Sequence, residues 1–548
     1  MSFESTSKGI IKQAGILAGA GIIVRIIGLL YKSPLTSIIG DEGNGYYNSA
    51  YNWYIIILMI SSYSIPSAVS RVLAQKFVLG EYRNAQKLFR AAMIYVLIVG
   101  AIGSLILTLA ARPMVGEGGA YVLRVFAPTV FLYGPLGVLR GYFQAHKTMV
   151  PTSVSQIAEQ IINAVVSIMA AYFMTGYAVR TSANKAVYGA AGSALGTGAG
   201  VLLALIFMSL VYLYNRKYIR RNLGKDAHPT DSYKDCFVMI ITVVTPFLLS
   251  AFLYNITPNI NQKLFYHVMQ KTRGLTESAT ASLYGVYSGK ALTITNIPIA
   301  MASAMAAAMI PGISEKFIQG RLEEANTIAT KVIRISMMIA IPAAVGLCAL
   351  ARPITMILFP QRASLDQASL LLAVLAVTVI FYSQSTITNS VLQGTGRASV
   401  PVKNALIALV LQTVLLLILL YVSPLDNMVL VVTRVFYAFI MFLLNDIACR
   451  KRLGLKINAI QVYIMPFIAS VIMGGASFGL YYLITLPFGG YRGTGYLVNL
   501  LATAVAIMAG AVVYGAFLIK TRVLTGDDLR SLPGGRKLAG LIKIKNNT

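Results

Sequence analysis

Residues 284–320 read YGVYSGKALTITNIPIAMASAMAAAMIPGISEKFIQG, and the rest of the chain is understood outward from them. The stretch is mostly small and apolar and is long enough to cross a bilayer. Lys290 nevertheless stands inside it. A charge at membrane depth is costly unless it meets water or a partner, so this lysine marks a candidate functional position. The stretch also has an echo 240 positions earlier. Gly45, Tyr47, Lys76, Phe77, Gly80 and Ala85 recur as Gly285, Tyr287, Lys316, Phe317, Gly320 and Ala325, and Ala111-Arg112-Pro113 recurs as Ala351-Arg352-Pro353. Nine ungapped identities indicate an internal duplication.

The composition agrees with a membrane protein. Of the 548 residues 57% are hydrophobic and 12% charged, with a mean hydropathy of +0.71; soluble domains carry about 25% charged residues. The net charge of +28 is explained by basic residues flanking membrane spans, and no basic stripe lies on a soluble domain, so nucleic acid is not an expected partner. Cys236, Cys348 and Cys449 are scattered in or beside apolar runs, and His146, His228 and His267 lie far apart. Neither set has the spacing of a disulfide framework or a metal site. Lys8 and Lys12 precede an apolar run that contains Arg25 and lacks a small-residue cleavage site, which predicts an uncleaved first span.

Apolar runs bounded by charge or turn residues fall near 10–36, 46–70, 89–111, 119–140, 151–175, 186–214, 236–258, 280–311, 331–350, 366–390, 400–423, 426–449, 458–485 and 494–520. They predict an all-α polytopic membrane protein of about 14 transmembrane helices, since the runs are too long and too apolar for barrel strands. With the N-terminus and every even-numbered connection in the cytoplasm, that side collects 32 of the 46 basic residues and the other face 10. This bias predicts both termini in the cytoplasm. The expected organisation is an N-lobe at 1–214 (spans 1–6), a basic cytoplasmic linker at 215–235, a C-lobe at 236–449 (spans 7–12), two further spans at 450–520 and a basic tail at 521–548. Two six-helix lobes that point the same way are expected to be related by a pseudo-twofold along the membrane normal.

The charged connections 71–90 and 311–334 are expected to form short surface helices at the inner face. A second echo follows: QAHKTMVP at 144–151 and QGTGRASVP at 393–401 each place a basic residue four before the proline. The tail, with Arg530, Arg536, Lys537, Lys543 and Lys545, is expected to contact anionic membrane lipids.

Four basic residues fall inside spans: Arg25, Arg124, Lys290 and Arg434. Lys290 lies 21 residues before Pro311, or ~31 Å along a helix, which puts it in the outer half of its span. Two readings stand for each of the four: a side chain that snorkels to the headgroups, or one that lines a wet cavity. The second is favoured for Arg25, among Gly19, Gly21 and Gly28, and for Lys290, among Ser288, Thr293, Thr295 and Asn296; snorkelling is favoured for Arg124, and Arg434 is evenly balanced. A positive cavity almost free of acids selects an anion. Glu159 and Asp446 are the acids placed within spans. Asp446 is expected to pair with Arg450, whereas Glu159 is either an ion-coupling carboxylate or, preferably, a partner for a neighbouring helix.

Enzyme signals are poor. GSALGTGAG at 192–200 has no strand before it and reads as small-residue helix packing. QGTGR at 393–397 lacks the phosphate-loop spacing and its Lys-Ser/Thr ending. No nucleophile–base set, metal-ligand cluster or cofactor motif emerges, so neither catalysis nor a cofactor or metal is expected.

With fourteen expected spans in a six-plus-six duplication plus two, the chain resembles the multidrug/oligosaccharidyl-lipid/polysaccharide exporter superfamily, and most closely its stage V sporulation protein B and MurJ-type group. The carriers are RIIG at 25–28, GNGYY at 43–47, KFVLG at 76–80, and Ile310-Pro311 with KFIQG at 316–320. The resemblance implies a flippase moving a polyprenyl-pyrophosphate-linked saccharide, foremost the peptidoglycan precursor lipid II, from the inner to the outer leaflet of the bacterial plasma membrane. It implies that cavity cations hold the pyrophosphate, with Arg25 matching a required first-span arginine and Lys290 an eighth-span cation, and that the last two helices form a groove for the lipid tail. It also implies cell-wall synthesis or division proteins as partners. Tyr31, beside Lys32, stands where the family has a second arginine, and Gly45 where it has an aspartate. Other lipid-linked saccharides, for capsule, teichoic acid or spore cortex, remain open. So does a cation-coupled multidrug exporter, which the cationic rather than acidic cavity disfavours.

Overall fold

The computed structural model describes residues 19–59, 65–521 and 523, apart from residues 22, 225, 227, 398 and 456. Among them the chain is helical and forms no strand. Most of the basic tail expected at 521–548 lies outside the described residues. Among the described residues nine helices are long and apolar enough to cross a membrane, or up to 11 if each of two bent pairs is one span, against the fourteen expected of the whole chain. Helices break or bend within three of the expected runs. The run at 46–70 is divided between α2 (Lys32–Leu58) and α3 (Ile65–Val78). The run at 366–390 is bent by 41° between α15 (Leu365–Leu375) and α16 (Val377–Gly394). The run at 280–311 is split into α11 (Glu277–Gly285), a π-helical turn Val286–Ala291 and α12 (Leu292–Ile318).

The duplication is legible in the backbone. Helices α3 and α4 (Tyr82–Leu109) have counterparts 240 residues on in α12 and α13 (Leu322–Ala349); α4 and α13 match at both ends, and α3 and α12 end at the matching Val78 and Ile318. The turn between them is the same in both copies. Gly80 and Gly320 are left-handed, at φ 77° and 74°, a conformation glycine adopts without strain. The Glu81 amide donates to the Lys76 carbonyl at 3.0 Å, and the Arg321 amide to that of Lys316 at 2.9 Å, closing a Schellman-type helix end. The charged segments 71–90 and 311–334 are therefore the ends of successive helices joined by tight turns, α4, α12 and α13 among them being long, and not separate surface helices. Twenty-eight residues in α4 span about 42 Å, longer than a hydrocarbon core of ~30 Å, so the charged first turns extend beyond it.

Helix α5 (Ala111–Ala145), kinked at the left-handed Gly116, then departs from its copy, which is broken into α14 (Ala351–Leu358), a loop, α15 and α16. The turn after each copy restores the correspondence. Thr148 donates to the Phe143 carbonyl and Arg397 to that of Leu392. Both pairs differ by 249, so the second repeat holds nine more residues, and they fall between Ala351 and Leu392. The left-handed position is Lys147 in one copy and Gly396 in the other, which shifts the basic residue by one relative to the turn.

The first repeat continues through α6 (Val150–Arg180), α7 (Lys185–Tyr214) and the short α8 (Arg216–Gly224); the second through α17 (Ser399–Val422) and α18 (Met428–Leu453). Then come α19 (Met465–Thr485), the short α20 (Gly490–Gly493) and α21 (Tyr496–Lys520). Packing divides the chain into two compact units, Met1–Gly289 and Lys290–Thr548. Helices α9 (Tyr233–Asn255), α10 (Thr257–Lys271) and α11 pack on α2, α3 and α4, so the first compact unit runs through 215–235 to the π-helical turn.

In the first unit α2 and α11 cross at glycines. A Cβ on Gly45 would lie 1.9 Å from the Ala281 carbonyl oxygen, and one on Gly285 would lie 1.8 Å from that of Asp41. Only glycine lets the backbones approach this closely. Nearby, Asn52 donates to the Tyr284 hydroxyl at 2.8 Å and Ser49 to that of Tyr266 at 3.1 Å.

Candidate functional site

Lys290 is 1% exposed and is carried by the π-helical turn, a one-residue widening that turns helices often use at functional positions. Its ammonium donates to the Ser364 hydroxyl at 2.6 Å. Ser364 ends the loop between α14 and α15, so the second repeat supplies both the lysine and this acceptor. In the first repeat the matching position is Ala50, fully buried in the α-helical part of α2 that follows the kink at Gly40. Two residues beyond Ser364, Asp366 forms an ion pair with Arg352, whose guanidinium lies 5.9 Å from the Tyr491 ring centre. Two cations therefore hold the ends of this short segment.

The other three candidates are placed differently. Arg434, on α18, is half-buried with its guanidinium 5.0 Å from the centre of the Tyr382 ring, a cation–π distance. Arg124, on α5, is exposed and donates from Nε to the Thr108 carbonyl at 3.4 Å, at the last turn of α4. Arg25 is exposed on the helix Gly19–Leu30, called α1. One turn later a Cβ on Gly28 would meet Gln160 Nε2 at 3.3 Å, so α1 runs close to α6.

A fifth cation inside the helical body was not singled out in the sequence. Arg140, on α5, is 3% exposed. It donates from Nη2 to Glu159 Oε2 at 2.7 Å and from Nε to Ser155 Oγ at 2.9 Å, and that hydroxyl in turn donates to the Thr152 carbonyl at 2.7 Å. Glu159 thus takes the role of partner to a neighbouring helix. The signal that finds this pair is the turn. An antiparallel hairpin of α5 and α6 reversing near residues 147–148 brings residue 140 opposite 155, one helical turn from 159. Asp446 accepts from Arg450 Nε at 2.6 Å, as the spacing of four predicts.

At the α3–α4 turn the linker is strapped down. Lys76 donates to Glu81 at 2.6 Å and to Asp231 at 2.8 Å. The Asn84 side chain accepts from the Asp231 amide and donates to the Pro229 carbonyl. The buried Asp226 carboxylate accepts from the amides of Arg83 and His228, at 2.6 and 2.8 Å, and pairs with the His228 ring at 2.7 Å. Burial alone pushes the Asp226 carboxyl up, but these donors outweigh it and hold its pKa at about 2. The hydrogen bond from Lys76 likewise holds Glu81 below the usual carboxylate range. In the second repeat Lys316 pairs with Glu324 at 2.9 Å. Among the described residues no group of three His, Cys, Asp or Glu side chains comes together as metal ligands do.

The sequence model for polysaccharide biosynthesis proteins matches residues 10–317, more than half of the chain. The chain belongs to this family. A second model, MatE, matches residues 288–418, so the two overlap across the stretch containing Lys290. This polysaccharide biosynthesis family member is 28% identical over 469 residues to the lipid II flippase MurJ of Bacillus subtilis (strain 168), covering 79% of this chain and 82% of that protein. It is 24% identical over 539 residues to stage V sporulation protein B of the same organism, covering 95% and 97%. Among solved structures, lipid II flippase MurJ in an inward closed conformation superposes with a TM-score of 0.66 at 13% identity, over 92% of this chain and 98% of that one. An inward-facing multidrug resistance MATE transporter gives 0.60 at 16% identity, over 78% and 94%. The fold is that of the multidrug/oligosaccharidyl-lipid/polysaccharide exporter superfamily, and the protein is a multi-pass membrane protein.

Proposed function

We propose that this protein is a flippase that carries a polyprenyl-pyrophosphate-linked saccharide across the bacterial plasma membrane, with lipid II as its substrate, by alternating access between its repeats. The relationship to the lipid II flippase MurJ over four-fifths of both chains carries this reading. The physics is consistent with it. A saccharide headgroup is too polar to cross hydrocarbon unaided, and a pyrophosphate is drawn to fixed cations in a low-dielectric surrounding.

In this reading Lys290 and Arg25 hold the pyrophosphate, with Arg434 and Arg124 as further cations on its path. The lobes are 1–214 and 236–449, and helices within 450–520 receive the polyprenyl tail. Both termini are cytoplasmic, the basic tail meets anionic lipid, and the partners are cell-wall synthesis or division proteins. A second reading, a flippase for another lipid-linked saccharide, is favoured by one observation: the match to stage V sporulation protein B covers 95% of the chain, more than the match to MurJ.

The deciding experiment expresses the protein in a bacterium depleted of its lipid II flippase, beside Arg25→Ala and Lys290→Ala variants at matched membrane level. Rescue by the wild type and failure of both variants is expected. Rescue by all three would remove the two site assignments and keep the function; no rescue by a well-expressed wild type would move the substrate to another lipid-linked saccharide.

A further inference from the structure

Helix α8 follows α7 after a single residue, Asn215. Its nine residues, RKYIRRNLG, hold four cations and no acid. Ile219 is buried in the apolar cluster of the first unit and Leu223 packs against that cluster. These two residues, four apart, fix which way the helix faces. Arg216, Lys217, Arg220 and Arg221 are left exposed, and among the described residues none is part of an ion pair. The acids closest in sequence are already engaged: Asp226 by Arg83 and His228, and Asp231 by Lys76.

Helix α7 is long and apolar enough to cross a membrane. Its exposed apolar side chains, Ile206, Leu210 and Leu213, continue to its end at Tyr214, so contact with hydrocarbon reaches the start of α8. Tyr214 and Tyr218 are exposed there, at 89% and 61%. Aromatic rings with a polar tip collect at the depth of lipid headgroups.

We propose that α8 is a docking site for anionic phospholipid headgroups of the leaflet in which α7 ends. The phosphate oxygens bind Arg216, Lys217, Arg220 and Arg221, and Tyr214 and Tyr218 rest at headgroup level. The site is distinct from the basic tail at 521–548 and does not depend on which saccharide the protein carries. It is also tied to the repeat turn, because Arg83 donates from Nε to the Leu223 carbonyl at 3.4 Å and from its amide to Asp226. A lipid held on α8 therefore bears on the turn between α3 and α4.

The test uses the full-length protein in detergent and a soluble short-chain phosphatidylglycerol, with the matching phosphatidylcholine as the neutral probe. The Arg216→Gln/Lys217→Gln/Arg220→Gln/Arg221→Gln variant is compared with Lys263→Gln/Lys271→Gln/Arg273→Gln, which removes cations elsewhere. Juxtamembrane basic residues add to the attraction of an anionic surface, least screened at low salt, so the quadruple variant is expected to bind phosphatidylglycerol on the order of 1,000-fold more weakly at low salt. The control triple variant should match the wild type. An Arg216→Lys/Arg220→Lys/Arg221→Lys variant, which keeps the charge, should keep the binding. Equal binding by wild type and quadruple variant, or loss in the lysine variant as well, would overturn the proposal. Displacement of the lipid by inorganic phosphate at the same concentration would overturn it too, by making free phosphate the ligand.

Discussion

Gly45 and Gly285 occupy the same place in the two repeats and meet reciprocally. Gly45 abuts Ala281 while Gly285 abuts Asp41, and each of these neighbours lies four residues before the opposite glycine, so Ala281 is the 240-residue counterpart of Asp41. Such exchange is what a local two-fold between α2 and α11 produces.

Substitution at this crossing therefore tests the symmetry directly. Gly45→Ala or Gly285→Ala must push the helices apart, and overpacking of this kind costs roughly 1–3 kcal/mol. Thermal unfolding in detergent should fall for both. The double variant should lose less than the sum, since one separation of the helices relieves both contacts. Gly475→Ala, where nothing lies within 4 Å of a new Cβ, should leave the melting temperature unchanged.

The Arg140–Glu159 pair separates charge from hydrogen bonding. Arg140→Ala leaves a carboxylate without its partner in a largely buried setting, and breaking such pairs costs roughly 3–5 kcal/mol. Glu159→Gln keeps an acceptor for Arg140 and should cost less. If Arg140→Met/Glu159→Leu is more stable than Arg140→Ala by the same melting assay, the penalty lies in the stranded charge; if it is less stable, the pair itself is the source of stability.

Acid should loosen the strap over the α3–α4 turn. Asp226, with a pKa of about 2, and Glu81, held low by Lys76, both titrate lower in the folded protein than in an unfolded chain. Their stabilisation is thus fully present above the unfolded carboxylate range, near pH 4, and is lost as pH falls through the folded values. Hydrogen exchange of residues 226–235, followed from pH 5 downward with the intrinsic exchange rate corrected, should rise first in this segment. Asp226→Asn should show the faster exchange already at pH 5.

Ser364→Ala removes one hydrogen-bond acceptor of Lys290 and leaves the cation. In the complementation assay it is expected to lower rescue by about tenfold, in keeping with a hydrogen bond to a charged group worth roughly 1.5–3 kcal/mol, whereas Lys290→Ala should abolish it. Full rescue by Ser364→Ala would separate the hydroxyl from the function of the lysine.

Much of the fold was legible because it rests on signals local to the chain. Apolar runs gave the helical class, and the repeat of Gly80 as Gly320 located two identical turns. The breaks within runs were less legible, because the π-helical turn beside Lys290 and the bend after Leu375 leave hydropathy continuous. The charged turns misled for a similar reason: a helix that outruns the bilayer carries charge without ending. Among the site residues, Asp446 with Arg450 followed from spacing alone. Ser364 did not, since its partner lies 74 residues away in sequence, and Arg140 was hidden because a basic residue near a helix end looks like a loop charge until the adjoining hairpin supplies Glu159.

The nine extra residues of the second repeat go with a difference in its chemistry. Two identical repeats would carry the same side chains at every matching place. Lysine at 290 against alanine at 50, with the Ser364 hydroxyl as a hydrogen-bond acceptor for the lysine, ends that equality. The duplication supplies the frame, and the inequality between its copies gives the frame a front and a back.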